Sequence, residues 1–273
     1  MKFVEKLLNA TRENKSLICI GLDSDPAQIP GGLSVFEFNK AIIDATSDLV
    51  CAYKPNFAFY ETQGAEGFKA LKQTVDYIPA DIPVIADAKR GDIGNTAKAY
   101  AQAIFTHFNF DAATVSPYLG FDSLEPFIEY QDKFIFVLCR TSNAGAVDLQ
   151  SIICNDEDEK RPLFEVVARK AGGWNKYGNV GLVVGATYPE ELQLVRQLQP
   201  EMPLLVPGVG AQGGDLAITV RYGVDANGEK AVINSSRQII FASREKDFAE
   251  AARQAAQSLR DTINQQLSEL GLD

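Results

Sequence analysis

Short apolar runs recur at regular intervals along the chain, separated by amphipathic segments. Runs such as FIFVLC, residues 134–139, are apolar throughout, which is typical of strands covered on both faces. The segments between them carry apolar residues at helical spacing, as Phe38, Ile42 and Ile43 do. Eight strands are predicted in this way, at residues 17–23, 49–56, 83–89, 112–117, 133–139, 180–186, 204–210 and 231–237.

Eight such strands alternating with helices predict an α/β fold, a (β/α)8 TIM barrel in which residues 1–273 form a single domain. The chain length of 273 residues suits one barrel, and an apolar fraction of 46% is enough for one large core. A doubly wound open sheet is the alternative, because strands counted from one sequence are easily missed or added.

Composition restricts the kind of partner and of chemistry. The formal net charge of −10 argues against a nucleic-acid partner, and no run approaches the roughly 20 apolar residues that would span a membrane. The charged N-terminus lacks a signal-peptide core and the four cysteines lack CxxC spacing, so a cytoplasmic protein is expected. His107 is the single histidine, which leaves serine–histidine catalysis and multi-histidine metal sites without residues.

Polar residues stand at the carboxyl ends of the predicted strands, the end at which TIM barrels carry their active sites. One such residue is ordinary, but polar ends on six strands favour a common site. The residues concerned are Asp23, Lys54, Asp87 with Lys89, residues 141–143 (TSN), residues 207–214 (PGVGAQGG) and residues 234–237 (NSSR).

The segment DAKRGDIGNT, residues 87–96, concentrates charge at the end of the third strand. Asp87 and Lys89 are two positions apart, so strand alternation predicts that both side chains point the same way. Charges that point into a barrel mouth need partners. Each of the two is a partner for the other, and Lys54 on the neighbouring strand extends the line. An ion pair that only fixes the end of the barrel is the alternative interpretation.

Residues 207–214 and Arg237 predict a phosphate site. The glycines of PGVGAQGG allow the backbone to approach a ligand closely, and a helix expected to start near Gln212 would turn free N–H groups to the same place. The loops after strands seven and eight are the usual phosphate site of a TIM barrel. Arg237 adds a guanidinium group there, so a phosphorylated substrate is expected.

Two polar segments are predicted to lie on the surface, and for the first of them a solvated loop is favoured over a binding tail. Residues 155–161 (NDEDEKR) form a charge run that is typical of a solvated loop. Residues 222–230 (YGVDANGEK) are expected to form a surface turn before the eighth strand.

The segment DAKRGDIGNT resembles the D-x-K-x-x-D-I-x-x-T signature of the orotidine 5′-phosphate decarboxylase family, in its bacterial subgroup. The GLD of strand one, the lysine of strand two, the serine after strand five, PGVGAQGG and the strand-eight arginine follow in the family's order, over nearly the whole chain. The resemblance implies a nucleotide substrate, orotidine 5′-phosphate, which loses CO2 to give uridine 5′-phosphate in the last step of UMP biosynthesis. It implies no cofactor, no metal and a homodimer.

The resemblance also implies a role for individual residues. Lys89 would protonate carbon 6 of the pyrimidine as CO2 leaves, beside Asp87, which would face the substrate carboxylate. Lys54 and Asp92 would complete an alternating Lys–Asp–Lys–Asp array, with Asp92 and Thr96 reaching into the partner subunit's site. The substrate-binding residues implied are Asp23 at the ribose, Ser142 at the pyrimidine, Gln212 and Arg237 at the phosphate, and Thr96, Pro207, Gly208, Gly210 and Ser236 around them.

Two positions depart from the family pattern: Gly94 stands where proline is frequent, and Ser236 stands where a glycine often precedes the arginine. Three other functions remain open. A sister enzyme that acts on sugar phosphates through Mg²⁺ is disfavoured by Lys54, whose charge would repel the metal. A lysine Schiff-base aldolase is disfavoured because neighbouring carboxylates keep Lys89 protonated. A non-catalytic binder of nucleotide phosphates would not need both lysines and both acids.

Overall fold

In a computed structural model, which describes residues 1–209 and 214–272, eight parallel strands form a barrel, as the sequence predicts. The hydrogen-bonded order is β2-β1-β8-β7-β6-β5-β4-β3, and two parallel bridges, Tyr53–Val84 and Asn56–Asp87, join β2 to β3 and close the ring. Each of these eight barrel strands overlaps a predicted one. The strands are β1 Ile18–Leu22, β2 Ala52–Pro55, β3 Ile85–Arg90, β4 Ala112–Val115, β5 Phe134–Arg140, β6 Val180–Val184, β7 Leu204–Pro207 and β8 Ala231–Ser235.

Helices surround the barrel and connect its strands. The helices are α1 Phe3–Asn14, α2 Val35–Thr46, α3 Phe57–Glu61, α4 Gly64–Tyr77, α5 Gly94–Gln102, α6 Glu125–Ile128, α7 Val147–Gln150, α8 Leu163–Trp174, α9 Pro189–Leu198, α10 Leu216–Gly223, α11 Arg237–Ile240 and α12 Phe248–Glu269. Short 3-10 turns occupy Pro30–Gly32, Ser47–Leu49, Phe121–Ser123 and Ala144–Ala146, and a π-helical turn covers Ala103–His107. No helix in the described part of the chain has the length and apolar content to cross a membrane.

Two apolar clusters explain where the site can form. The larger one fills the space between the strands and the outer helices. The smaller one lies among the strands and includes Phe3 and Leu7 of α1, with Phe3 stacked on Phe134 at 4.7 Å between ring centroids. Helix α1 therefore packs apolar side chains against the strands at the amino-terminal end of the barrel, and the polar residues lie at the other end.

Two sequence predictions about the connections are wrong. Residues 155–161 do not form a loop, because Ile153–Asp156 and Glu159–Pro162 pair as an antiparallel hairpin. The hairpin is stabilised by Arg161, which is buried and forms ion pairs with the acidic residues around it, including Glu165 at 3.2 Å. The helix expected near Gln212 begins only at Leu216, after Asp215 caps it by accepting a hydrogen bond from a backbone N–H.

Candidate active site

Two adjoining cavities open at the carboxyl ends of the strands and share Lys54, Asp87 and Pro207. The larger cavity, of about 480 Å³, extends from these residues toward the loop after β5. The smaller, of about 180 Å³, extends toward the ends of β1, β7 and β8. The larger volume lies within the range of about 300–1,000 Å³ that is usual for small-molecule sites. The polar strand ends predicted from the sequence thus line one connected region.

Asp87 lies between two lysines. Its Oδ2 is 2.5 Å from Lys54 Nζ and its Oδ1 is 2.5 Å from Lys89 Nζ. The three side chains differ in exposure: 5% for Lys54, 10% for Asp87 and 51% for Lys89. A buried lysine, a buried carboxylate and a half-exposed lysine therefore form one line from the barrel interior to its mouth.

Charge pairing fixes the ionisation of the two buried groups. Burial disfavours the charged form of Asp87, but the positive charges of Lys54 and Lys89 outweigh it and hold the pKa of Asp87 well below its usual range. Burial likewise opposes the charge of Lys54, and the carboxylates of Asp87 and Asp23 outweigh it, so the pKa of Lys54 is raised. At neutral pH the site holds a buried anion flanked by cations.

A bulge in β3, rather than simple alternation, brings Lys89 to Asp87. The β3–β4 register shifts between Ala86 and Arg90, and Lys89 has φ = 47°. Non-glycine residues adopt such left-handed backbone conformations rarely, and they often do so at functional sites. The prediction that Asp87 and Lys89 meet is confirmed, although the regular strand geometry on which it was based ends before Lys89.

The β1 and β8 side of the site presents buried acceptors. Asp23 Oδ1 and Asn234 Oδ1 are buried and have no hydrogen-bond partner among the described residues, and both side chains line the smaller cavity. Buried polar atoms are normally paired, so these two oxygens suit the hydroxyl groups of a bound ligand. The sequence predicted Asp23 as a ligand contact, whereas Asn234 was only one of several polar residues at the end of strand eight.

Gly21 makes room for the serine that departs from the family pattern. A Cβ atom on Gly21 would lie 1.9 Å from Ser236 Oγ. Since no side chain can occupy that space, the missing Cβ on β1 accommodates the hydroxyl of Ser236 between β1 and β8. The serine is therefore compatible with the geometry of the loop that begins α11.

The predicted phosphate site is described in part. Pro207, Gly208, Ser236 and Arg237 line the smaller cavity. Arg237 is exposed, and its guanidinium group makes no hydrogen bond or ion pair to any residue of the described ranges. Gly208 has φ = 96°, and its carbonyl accepts a hydrogen bond from the backbone N–H that follows the undescribed segment, at 3.3 Å. Gly210 and Gln212 lie outside the described residues.

The loop after β5 borders the larger cavity through Ser142. Gln150 of α7 holds this loop, because its Oε1 accepts from the Thr141 N–H at 2.8 Å and its Nε2 donates to Thr141 Oγ1 at 2.9 Å. Gly185 allows the backbone of Ser142 to come close, since a Cβ there would lie 2.8 Å from Ser142 Cα. Sequence reasoning missed Gln150, because a single glutamine in a four-residue helix carries no pattern.

Asp92 and Thr96 are not among the residues that line either cavity of the described chain. Asp92 Oδ1 accepts a hydrogen bond from the Ile93 N–H, and Thr96 is exposed on α5. Asp92, the fourth charge of the predicted array, thus lies outside both cavities of the described chain. In residues 1–209 and 214–272, no group of three or more histidine, cysteine or acidic side chains is placed to hold a metal ion.

Comparison with known proteins identifies the family of the chain. Residues 16–255 match the family described as orotidine 5′-phosphate decarboxylase / HUMPS. Proteins named orotidine 5′-phosphate decarboxylase from Dehalococcoides mccartyi and Ralstonia pickettii are 55% and 52% identical, each over 97% of this chain and 98% and 99% of their own length. The structure of Leishmania donovani OMP decarboxylase is similar with a TM-score of 0.85 and 44% identity, over 97% of this chain and 99% of that one. The chain therefore belongs to the orotidine 5′-phosphate decarboxylase / HUMPS family.

Proposed function

We propose that the protein decarboxylates orotidine 5′-phosphate to uridine 5′-phosphate and CO2, the last step of UMP biosynthesis. The observation that carries the proposal is the Lys54–Asp87–Lys89 line at the barrel mouth, beside a loop pair suited to phosphate. The names of the full-length relatives support the same reaction. Lys54 also disfavours a divalent metal at this strand end. Its ammonium group is buried there and its pKa is raised, so its positive charge would repel the metal.

The two cavities suggest how the substrate lies. The phosphate would bind Arg237 at the β7 and β8 loops, and the ribose hydroxyls would donate to Asp23 and Asn234. The pyrimidine would then extend into the larger cavity toward Ser142. In this arrangement the carboxylate on carbon 6 would lie near Asp87 and Lys89, where the two cavities meet.

The chemistry follows from the charges. When the bond between carbon 6 and the carboxylate breaks, CO2 leaves and the electron pair stays on carbon 6. The ammonium group of Lys89 stabilises that negative charge and gives a proton to carbon 6, and Lys89 then regains a proton from water. Asp87 stays ionised because of its depressed pKa, so it orients Lys89 without taking part in the proton transfer.

We also propose a homodimer in which Asp92 and Thr96 complete the site of the partner subunit. Four large apolar side chains near these residues are exposed, and exposed apolar surface of this kind marks interfaces. They are Ile93, Tyr100, Tyr118 and Leu119, with Tyr118 exposed to 79%. The segments after β3 and β4 would thus meet their counterparts, and Asp92 would extend the array across the interface.

A cytoplasmic location is part of the proposal. Cys19, Cys51, Cys139 and Cys154 are all free, and the first three are buried. Free thiols in a folded protein are typical of a reducing compartment.

The direct test is an ultraviolet assay of orotidine 5′-phosphate loss by purified protein in excess EDTA. Conversion to uridine 5′-phosphate at an undiminished rate would support both the reaction and its independence of metal. A folded protein that binds uridine 5′-phosphate but converts no substrate would refute the proposed reaction and favour the metal-dependent sugar-phosphate enzymes.

The role of Lys89 is tested by Lys89→Ala. We expect nucleotide binding to persist and turnover to fall by at least about 10³-fold, because the proton donor and its charge are both removed. Lys170→Ala removes an exposed lysine on α8 and serves as the matched control with wild-type turnover. Turnover of Lys89→Ala within tenfold of wild type would exclude Lys89 as the proton donor.

Shared sites are tested by mixing two inactive variants, Lys89→Ala and Asp92→Ala. In a heterodimer one of the two sites receives both intact groups, so random exchange should restore about a quarter of the wild-type activity. Exchange is verified by mass spectrometry of the mixed dimers. Verified heterodimers without activity would contradict the assignment of Asp92 to the partner's site.

A further inference from the structure

The hydroxyl of Thr114 on β4 bonds to three consecutive residues of β3, Asp87, Ala88 and Lys89. Its hydroxyl accepts from the backbone N–H of Ala88 at 3.1 Å and of Lys89 at 3.0 Å, and it lies 3.2 Å from Asp87 Oδ1, to which it donates. A hydroxyl has one proton and two acceptor positions. The two amides fill the acceptor positions, and the proton has Asp87 Oδ1 as its nearer acceptor, since the Ala86 carbonyl lies 3.5 Å away. Thr114 is 2% exposed, which leaves solvent little access to replace it.

The two N–H groups need this acceptor because of the bulge. The β3–β4 ladder pairs Ala86 with Ala113 and resumes only at Arg90, whose carbonyl accepts from the Ser116 N–H at 2.7 Å. Between these points the strand has left the ladder, and Lys89 is in the left-handed region. The hydroxyl of Thr114 replaces the missing ladder partners and supports a backbone conformation that a lysine would otherwise rarely adopt.

We propose that Thr114 is a positioning residue that sets where Asp87 and Lys89 lie relative to each other. Its hydroxyl bonds the backbone N–H of Lys89 and the carboxylate of Asp87. The inference rests on the proposed decarboxylation for its kinetic consequence, but its structural part does not. One hydroxyl fixes where the Lys89 main chain turns and where Asp87 Oδ1, the partner of Lys89 Nζ, is held. An error in either would move the ammonium group away from carbon 6.

The decisive variant is Thr114→Val, which keeps the shape of the side chain and removes the hydroxyl. We expect kcat to fall by about 10- to 100-fold, the usual consequence of misplacing a reacting group by about 1 Å. KM should change by less than about threefold, because the proposed phosphate and ribose contacts lie in the other cavity. Thr114→Ser keeps the hydroxyl and should retain kcat within about threefold of wild type.

Thr46→Val is the matched control. Thr46 is also buried, and its hydroxyl bonds the Ile42 carbonyl at 2.7 Å and the Tyr53 hydroxyl at 2.7 Å, away from both cavities. It should lose stability but keep kcat. If Thr114→Val does not fold, Thr114→Cys takes its place, since a thiol is only a weak acceptor and should show the same loss of kcat.

Hydrogen exchange separates this inference from the proposed function, because it needs no substrate. The amides of Ala88 and Lys89 should exchange at least tenfold faster in Thr114→Val than in wild type or Thr114→Ser, while amides around Thr46 are unchanged. Unchanged exchange at both amides would overturn the role of Thr114 even if the wild type decarboxylates. A kcat of Thr114→Val near that of wild type, or an equal loss in Thr114→Ser, would overturn it as well. A wild-type protein without turnover would refute the reaction alone.

Discussion

Replacing Lys54 or Lys89 with methionine should separate stability from catalysis, although both lysines bind the same carboxylate. Lys54 is 5% exposed in its side chain and Lys89 is 51% exposed. Removing one partner of a buried ion pair costs about 3–5 kcal/mol, and the lower end applies to Lys54→Met because Lys89 stays on Asp87. Removing a half-exposed partner costs less than about 1 kcal/mol, so Lys89→Met should remain nearly as stable as wild type.

The assay is urea unfolding of both variants and wild type at one protein concentration, since the apparent stability of the proposed dimer would depend on that concentration. The free energy of unfolding of Lys54→Met should fall by about 3 kcal/mol. In thermal unfolding, the same loss corresponds to a fall in Tm of about 6–12 °C for a chain of this size. Both variants should lose turnover. An equal loss of stability in the two variants, or a larger loss in Lys89→Met, would refute the argument that burial decides the energetic weight of each lysine.

A double variant tests whether the Lys54–Asp87 ion pair itself stabilises the fold. In Lys54→Met/Asp87→Leu the buried charges are both replaced by apolar groups, an exchange that is often neutral or stabilising. We expect it to regain most of the stability that Lys54→Met loses while remaining inactive. A double variant less stable than Lys54→Met would show that the ion pair contributes to folding beyond satisfying its own charges.

Close packing, charge and thiol burial each give one more measurable outcome. Gly21→Ala puts a methyl group 1.9 Å from Ser236 Oγ, so the affinity for uridine 5′-phosphate and the Tm should both fall. Adding Ser236→Gly should restore both values. Wild-type values for Gly21→Ala alone would contradict the clash. Because its pKa is lowered in the folded protein, Asp87 contributes to the free energy of unfolding above about pH 4, and this contribution is lost below that pH. Because its pKa is raised, Lys54 contributes below about pH 10, and this contribution is lost above that pH. The difference in free energy of unfolding between wild type and Lys54→Met/Asp87→Leu should thus be constant from about pH 5 to about pH 9. A slope within that range in urea titrations would contradict these two pKa shifts. Burial raises the pKa of three of the four thiols, so mass spectrometry after brief alkylation should find only Cys154 modified, and rapid labelling of another cysteine would contradict their burial.

Much of the site could be predicted because two periodic rules place it. Alternating apolar strands and amphipathic helices imply a barrel, and a barrel brings the carboxyl ends of its strands together whatever their separation in sequence. Asp23, Lys54 and Asp87 are distant along the chain and line one cavity for this reason. The same rule predicts that Ser142 and Arg237 lie at this end of the barrel. Ser142 lines the larger cavity and Arg237 lines the smaller one.

The features that escaped prediction depend on single contacts between strands. Nothing in ATV of β4 indicates that the Thr114 hydroxyl holds a bulge in β3, since the bulge itself has no pattern in the sequence. The fit of Ser236 against Gly21 also appears only once β1 and β8 are neighbours. The hairpin at Ile153–Asp156 was missed because its charged residues indicate solvent, and exposed hairpin strands are charged too.

The order of burial along the charged line explains why the array needs two lysines for one carboxylate. Lys54, the most buried member, and Asp87 hold each other ionised by their mutual attraction, so Asp87 remains an anion at any pH at which the enzyme would work. A carboxylate fixed in this way orients Lys89 but does not compete for its proton. Lys89 is half exposed at the mouth. In the proposed reaction it is therefore the member of the line that would both reach a substrate atom and recover a proton from water. Exchanging the two positions would put the proton donor where water cannot recharge it, so the gradient of exposure is a requirement of the proposed chemistry.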